Sequence, residues 1–223
     1  MADVSQQTFF QIGDGASPEE FLNLGEVVGI SGPSLSVTAL DVTNLADTAK
    51  AFIPSGVYDA GEITLDINFE PDDANGHDAM IDRLTGFTQS TYRIVFSDSG
   101  NGQAFTTDDG NNEIDIAAHG LLTGTPVTFT TTGNLPTGIL VGTQYWLERV
   151  TAGTLAIYTT NALAIAGGGG LALANDEAGV NTAVTDTIWT FEANVTGAEP
   201  NAAVDEKLGA TLTFKVSESL AIA

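Results

Sequence analysis

A chain of 223 residues with 29 Asp and Glu against 6 Lys and Arg carries a formal charge of −23 at pH 7. That balance excludes the clustered cations that grip nucleic-acid phosphates or an anionic membrane surface. The absence of cysteine excludes disulfides, thiol chemistry and thiolate metal sites, while 43% hydrophobic residues suffice for a core, so the acidity reads as solubility first.

The opening MADVSQQTFF has no basic region and no long apolar run, so no signal peptide is expected. Residues 6–12 read as a short strand and 13–18 as a turn. Phe21 to Ile30 reads as a strand bent at Gly25 and Gly29, and Leu35 to Leu45 as another with a slip in phase. Asn44 to Gly61 reads as a long connection, broken by Pro54, Gly56 and Gly61. It carries Lys50, Phe52, Ile53, Val57 and Tyr58. Apolar residues on a long loop mark either a partner surface or a loop folded back on its own core.

Gly61 to Asp73, GEITLDINFEPDD, has the clearest pattern in the chain. Ile63, Leu65, Ile67 and Phe69 alternate with Glu62, Thr64, Asp66, Asn68 and Glu70. Side chains alternate across a strand, so one face is apolar and the other is polar and acidic. The Asp pair then caps a helix over 74–84 that ends at Gly86. Residues 92–97, 188–195 and 207–216 read as further strands. In the last, Leu208, Leu212, Phe214 and Val216 point inward and Thr211, Thr213 and Lys215 outward.

Between Asp98 and Thr187 the composition shifts to Thr, Gly and Ala, with 9 acids and a single base, Arg149. Strand-like pieces at 113–117, 126–131, 144–150 and 154–158 alternate with turn signals such as TTGNLPTG and AGGGG. The apolar text from Leu163 to Ala174 is cut by four glycines, so no membrane span is expected. Deleting 98–187 would join TYRIVFSD to TIWTFEANVTG as two antiparallel strands. The segment therefore reads as a small all-β domain, 98–187, inserted at a hairpin tip of a domain built from 1–97 and 188–223, and removable without breaking its carrier.

Convergent chemistry is absent from the sequence. His77 could be joined by Asp73 and Asp78 at helical spacing, but a solvated helix start is the plainer reading. His119 lies in a turn. DDGNNEID, Asp108 to Asp115, lacks EF-hand spacing and reads as a hydrated turn. Glycine-rich GDGASPEE and GGGG lack the Lys-Ser/Thr of a phosphate cradle. Adjacent acids (Glu19/Glu20, Asp72/Asp73, Asp205/Glu206) point to opposite faces of a strand. No catalytic residue, metal or cofactor is expected, and the chain does not read as an enzyme.

In the carrier domain TAKAFIPSGVYDAGEITLDINFEPDD is followed by YRIVFSD and then by WTFEANVTGAEPNAAVDEKLGATLTFKVS. In that order these stretches resemble tail tube proteins (major tail proteins) of long-tailed, siphovirus-type bacteriophages. The resemblance covers most of residues 20–97 and 188–218. The insert, around AHGLLTGTPVTFTTTGNLPTGILVGTQYWLERV, is similar to small β modules of phage structural proteins. The resemblance implies a mainly β fold, a barrel-forming β-sandwich with one flanking α-helix. It also implies a structural virion protein forming homohexameric rings stacked into a tube for viral genome delivery. Each subunit would lend about four strands to a continuous inner barrel, with Glu62, Thr64, Asp66, Asn68 and Glu70 lining the lumen. Lys50, Phe52, Ile53, Val57 and Tyr58 would reach the adjacent ring, and the insert would project outward. Implied partners are further copies of the chain, the tape measure, tail terminator and distal tail proteins, and DNA in transient, non-specific passage. The chain would reside in the virion tail after assembly in the host cytoplasm. Lys207 and Lys215 leave two alternatives: they pair with acids of a neighbouring strand, or their face is not in the lumen. The competing reading is a two-domain β protein of a virion or bacterial surface that binds carbohydrate or a host receptor.

Overall fold

The computed structural model describes residues 7–71, 73, 76–98, 100–202, 207–217 and 220–222. Its first half holds β1 (Phe9–Gly13), β2 (Phe21–Asn23), β3 (Val27–Ser31), β4 (Ser36–Asp41), β5 (Phe52–Asp59), β6 (Glu62–Asn68), α1 (His77–Thr85) and β7 (Gln89–Val95). There follow β8 (Asn101–Asp108), β9 (Glu113–Asp115), β10 (Thr125–Thr131), β11 (Tyr145–Arg149), β12 (Thr154–Tyr158), α2 (Asn161–Ala166) and β13 (Asn181–Thr185). The chain ends on β14 (Ile188–Asn201), β15 (Gly209–Val216) and β16 (Ala221–Ile222). It folds as two compact units, one from residues 1–24, 90–190 and 221–223, the other from 25–89 and 191–220.

In the first unit, six strands close into a barrel in the order β10-β11-β12-β9-β8-β13. Its interior is apolar: Phe129, Ile114, Leu147, Leu155 and Ile157 are fully buried. Phe129 packs edge-on against Phe105, with ring centroids 5.3 Å apart. The strap from Gly167 to Val180 crosses the barrel and buries Leu173 in the same core. Glu177 holds the strap by accepting from the Thr107 hydroxyl, and Asp176 by accepting from Thr137 N–H at 2.7 Å.

The two ends of the segment from 98 to 187 stand side by side. Phe96 N–H donates to the Thr187 carbonyl (2.9 Å), and Thr187 N–H to the Asp98 carboxylate (2.8 Å). The barrel is also fastened to β1 and β2, which form an antiparallel ladder with β7. Asn161, at the head of α2, accepts from Asn23 N–H (2.9 Å) and donates to the Phe21 carbonyl (3.0 Å). Gln11 donates to the Gly124 carbonyl at 2.6 Å. Gly124 has φ +88°, and a Cβ there would stand 2.0 Å from the Phe21 carbonyl oxygen, so glycine alone fits. Phe9 packs edge-on against Trp146 at 5.0 Å. The Arg93 guanidinium lies 3.7 Å from the centroid of the Phe21 ring, and burial pulls its pKa down to about 10.

The second unit contains the antiparallel ladder β14-β15-β6-β3, the hairpin β4-β5 and α1. Ile63, Leu65, Phe191, Leu212, Phe214 and Met80 are buried in it. Several expectations are corrected here. The strand expected over Phe21 to Ile30 is two strands, β2 and β3, broken where Glu26 adopts φ +55°. The long connection after Asn44 contains a strand, β5, paired with β4 through Leu40↔Ile53 and Val37↔Tyr58. The helix starts at His77 rather than Ala74, and its N-cap, Gly76, makes no side-chain cap. Asp73 instead accepts from Gly76 N–H at 3.1 Å in the turn before. Gly86 is right-handed (φ −84°), and the left-handed residue at the helix end is Phe87, φ +53°. Of the residues singled out in the sequence, Asp72, Ala74, Asp205 and Glu206 lie outside the described residues.

Candidate assembly surface

The ladder of the second unit has one apolar and one polar face, and register assigns each residue. Along β6, Ile63, Leu65 and Ile67 are 0%, 0% and 3% exposed, while Glu62 and Asp66 are exposed and Thr64 and Asn68 half-buried. Opposite them on β15 stand Lys215, Thr213, Thr211 and Gly209, paired with Glu62, Thr64, Asp66 and Asn68 in that order. On β3, Ser31 pairs Thr64 and Gly29 pairs Asp66; on β14, Asn194 pairs Lys215 and Glu199 pairs Thr211. The face is therefore a band of Thr and Asn hydroxyls and amides set with Glu62, Asp66 and Glu199. Thr211 donates to Asp66 at 2.9 Å, and Asn68 donates to Glu26 at 2.9 Å, which fixes two of the side chains.

Lys215 is charge-paired. Its ammonium donates to both carboxylate oxygens of Asp59, at 3.0 and 3.2 Å. Gly61 N–H and this ammonium hold the Asp59 carboxyl below the usual carboxylate range. The turn that brings Asp59 there needs Gly61, whose φ is +74° and whose Cβ would collide with the Ser34 carbonyl. Glu70 stands apart from the row: β6 ends at Asn68, and Glu70 lies exposed in the following turn, its N–H donating to His77 Nδ1 at 2.9 Å.

β3 is the last strand of the ladder, and among the described residues no strand pairs its outer edge. A β-bulge between Val27 and Gly29 leaves Val28 68% exposed on it. An unpaired edge presents a row of N–H and C=O groups that another chain can complete.

The β4-β5 hairpin is exposed along almost its whole length. Val37, Phe52 and Tyr58 occupy one face, Leu40 and Ile53 the other, and all are counted among the exposed large hydrophobics. A two-stranded ribbon in water is marginal unless something covers it. Lys50 lies at the hairpin turn, 3.9 Å from Asp41, both well exposed, an ion pair worth little to stability. Lys50, Phe52, Ile53, Val57 and Tyr58 thus belong to one arm, which the sequence reading treated as loop. That reading names Leu40 only as a strand residue and does not single out Val28 or Phe87, which is 92% exposed.

The histidines are not at the surface. His77, expected to be solvated, is 1% exposed. Its Nδ1 accepts from Glu70, its Nε2 donates to the Gly25 carbonyl (3.1 Å), and its ring stacks on Phe69 at 5.7 Å. His119 is 5% exposed; Leu121 N–H donates to its Nδ1 (2.9 Å) and its Nε2 donates to the Thr151 carbonyl (3.0 Å). Burial holds the His119 pKa below its ordinary value. Both rings are thus committed to backbone partners. In the turn after Asp108, its two oxygens accept from Gly110 N–H and the Asn111 amide. Among the described residues no cluster of three potential metal ligands forms.

All of residues 1–223 match the family model described as phage tail tube, TTP, lambda-like. No curated protein matches the chain. Among solved structures, a chain of the virion of a native gene transfer agent particle is similar at 8% identity, with a TM-score of 0.50 over 100% of this chain and 99% of that one. A chain of the 6-fold symmetrised anti-feeding prophage baseplate is similar at 7% identity, TM-score 0.43, over 100% and 96%. At 8% identity the likeness to the gene transfer agent chain speaks to fold alone.

Proposed function

Because this chain belongs to the lambda-like phage tail tube protein family, a structural component of the virion tail and not an enzyme, we propose that its copies join edge to edge into rings of about six. The rings stack into a hollow tube with an acidic bore. Each copy contributes β14, β15, β6 and β3, and the open margin of β3 meets a neighbour. A barrel of ~24 strands spaced ~4.8 Å and tilted ~40° has a backbone diameter near ~45 Å, wide enough for a DNA duplex once side chains are subtracted. The single observation that carries this reading is the alternation on β6, with Ile63, Leu65 and Ile67 buried and Glu62, Thr64, Asp66 and Asn68 turned the other way.

The bore face repels phosphate rather than binding it. Screening confines the repulsion to within ~8 Å of the wall in physiological salt, the zone in which DNA would otherwise stick. Glu62 and Asp66 supply the charge, Glu70 adds to it from the turn below the strand, and Lys215, the one cation within β3, β6, β14 and β15, is tied to Asp59. The coreless hairpin, with Phe52, Ile53, Val57 and Tyr58, reaches the adjacent ring and is covered there. Apolar burial at ~25 cal/mol per Å² outweighs the screened repulsion of like-charged subunits across a large interface. The barrel of residues 98–187 stands outside the tube. The tape measure protein occupies the bore before DNA does, tail terminator and distal tail proteins close the two ends, and assembly takes place in the host cytoplasm.

The test is substitution of Glu62, Asp66 and Glu70 by Lys. Tubes of normal appearance with strongly reduced DNA delivery are expected. Unchanged infectivity would overturn the repulsive lining.

A further inference from the structure

Phe87 combines two unfavourable features in one residue. It adopts φ +53°, a left-handed conformation unfavourable for a bulky side chain, and its ring is 92% exposed. It occupies the position after a helix end that glycine normally fills: Thr88 N–H closes the cap on the Arg83 carbonyl at 3.0 Å. Gly86 stands directly before it, yet takes a right-handed conformation, φ −84°. The turn thus holds an aromatic ring out in water where the fold alone would favour glycine.

The same unit carries a hollow. A cleft of about 430 Å³ lies between the end of β5 and the end of β15, lined by Val57, Tyr58, Ala60 and Val216, with Asp59 and Ser217 as its polar members. Phe87 does not fill it within its own copy. Gln89, two residues on, reaches Ser217 with a 2.8 Å hydrogen bond, and Phe87 remains in solvent. An exposed aromatic and an open apolar cleft on one molecule form a self-complementary pair, and an aromatic seated in a pocket is the usual anchor of an interface.

We propose that Phe87 of one copy seats in the Val57–Tyr58–Val216 cleft of a neighbouring copy. This rests on the tube reading, and it names a contact between subunits apart from the ladder edge. The strained turn is kept because it presents the ring.

The chain has no cysteine, so introduced thiols report on this contact without background. Two single variants, Thr88→Cys beside the ring and Val57→Cys at the cleft, are mixed, assembled and oxidised, so that any 88–57 dimer links two copies. A cross-linked dimer is expected in tubes and not in dilute free subunits. Phe87→Gly is the second variant: it relieves the turn, so the free subunit keeps or raises its Tm, while assembly falls at least tenfold. Tubes without an 88–57 cross-link, or Phe87→Gly tubes that form at the wild-type rate, would overturn the proposal and leave the tube reading standing. Lost assembly of Phe87→Gly without the cross-link would place the ring on some other surface, which also overturns it. Failure of the unaltered chain to form tubes would overturn both.

Discussion

The barrel of residues 101–185 and the β4-β5 hairpin with its neighbouring ladder are made of similar strands, rich in Thr and β-branched residues, but they end differently. The barrel closes β13 onto β10, so each of its strands has two partners. Its aromatic residues Phe105, Phe129 and Tyr145 face inward, and the 167–180 strap buries Leu173 in the same core. Among the described residues the hairpin has one partner per strand, apolar residues on both faces and no core, and the ladder beside it stops at β3, whose outer edge no strand pairs. A closed sheet needs nothing further from its surroundings, whereas an open one with bare apolar faces is a liability unless it is completed by another chain. The contrast separates the part of the molecule that is finished on folding from the part that is finished on assembly.

Substitutions can break that contrast at several depths. Phe129→Ala opens a cavity in the closed core and is expected to lower the stability of the free subunit by ~3–5 kcal/mol, read by urea unfolding. A loss under 1 kcal/mol would mean that the barrel interior is loosely packed. Asn161→Ala removes the amide that ties the barrel to Phe21 and Asn23, leaving a buried carbonyl and N–H unmatched. A loss of ~1–3 kcal/mol is expected by the same measurement. The fastening also revises the expectation that 98–187 can be cut out freely. Excision uncovers Phe9 and Phe21, so the shortened chain is expected to unfold at a lower temperature unless those residues are replaced by polar ones.

The pH dependence follows from His119. Its folded pKa lies below the ordinary value near 6.5, so on acidification the unfolded chain takes up the proton first. The stability associated with the neutral ring is intact above about pH 6.5 and is lost as pH falls through the lower folded value. Unfolding free energy measured from pH 7.5 to 5 should fall more steeply for the wild type than for His119→Gln. Parallel profiles would rule this out. The smallest effect on the free subunit is expected at the hairpin. Phe52→Ser with Ile53→Ser alters residues that are already about half exposed, so subunit stability should move by no more than ~0.5 kcal/mol while ring stacking is lost. A large stability loss would mean that the arm folds onto its own subunit.

How much of this was legible in the sequence depended on whether the signal was periodic. β6 was read residue by residue, because Ile63, Leu65 and Ile67 alternate strictly with polar neighbours and the buried face enforces that period. β5 reads as loop. Phe52 and Ile53 are adjacent, Pro54 and Gly56 are strand breakers, and a ribbon without a core has no buried face to impose alternation. β8 and β13, NGQAFTTD and NTAVT, went unmarked for a related reason: their short apolar positions, such as Ala183, are buried only because the barrel closes around them. The burial of His77 depends on Gly25, 52 residues away, and on the stacked Phe69. Phe87 lay hidden behind the more conventional stop signal of Gly86.

The most direct test of the account is a cryo-EM reconstruction of tubes grown from the purified subunit. Glu62 and Asp66 are expected on the inner wall, with the outer edge of β3 hydrogen-bonded to the neighbouring copy. A map with these two acids on the outside of the tube, or with the β3 edge left bare, would contradict it.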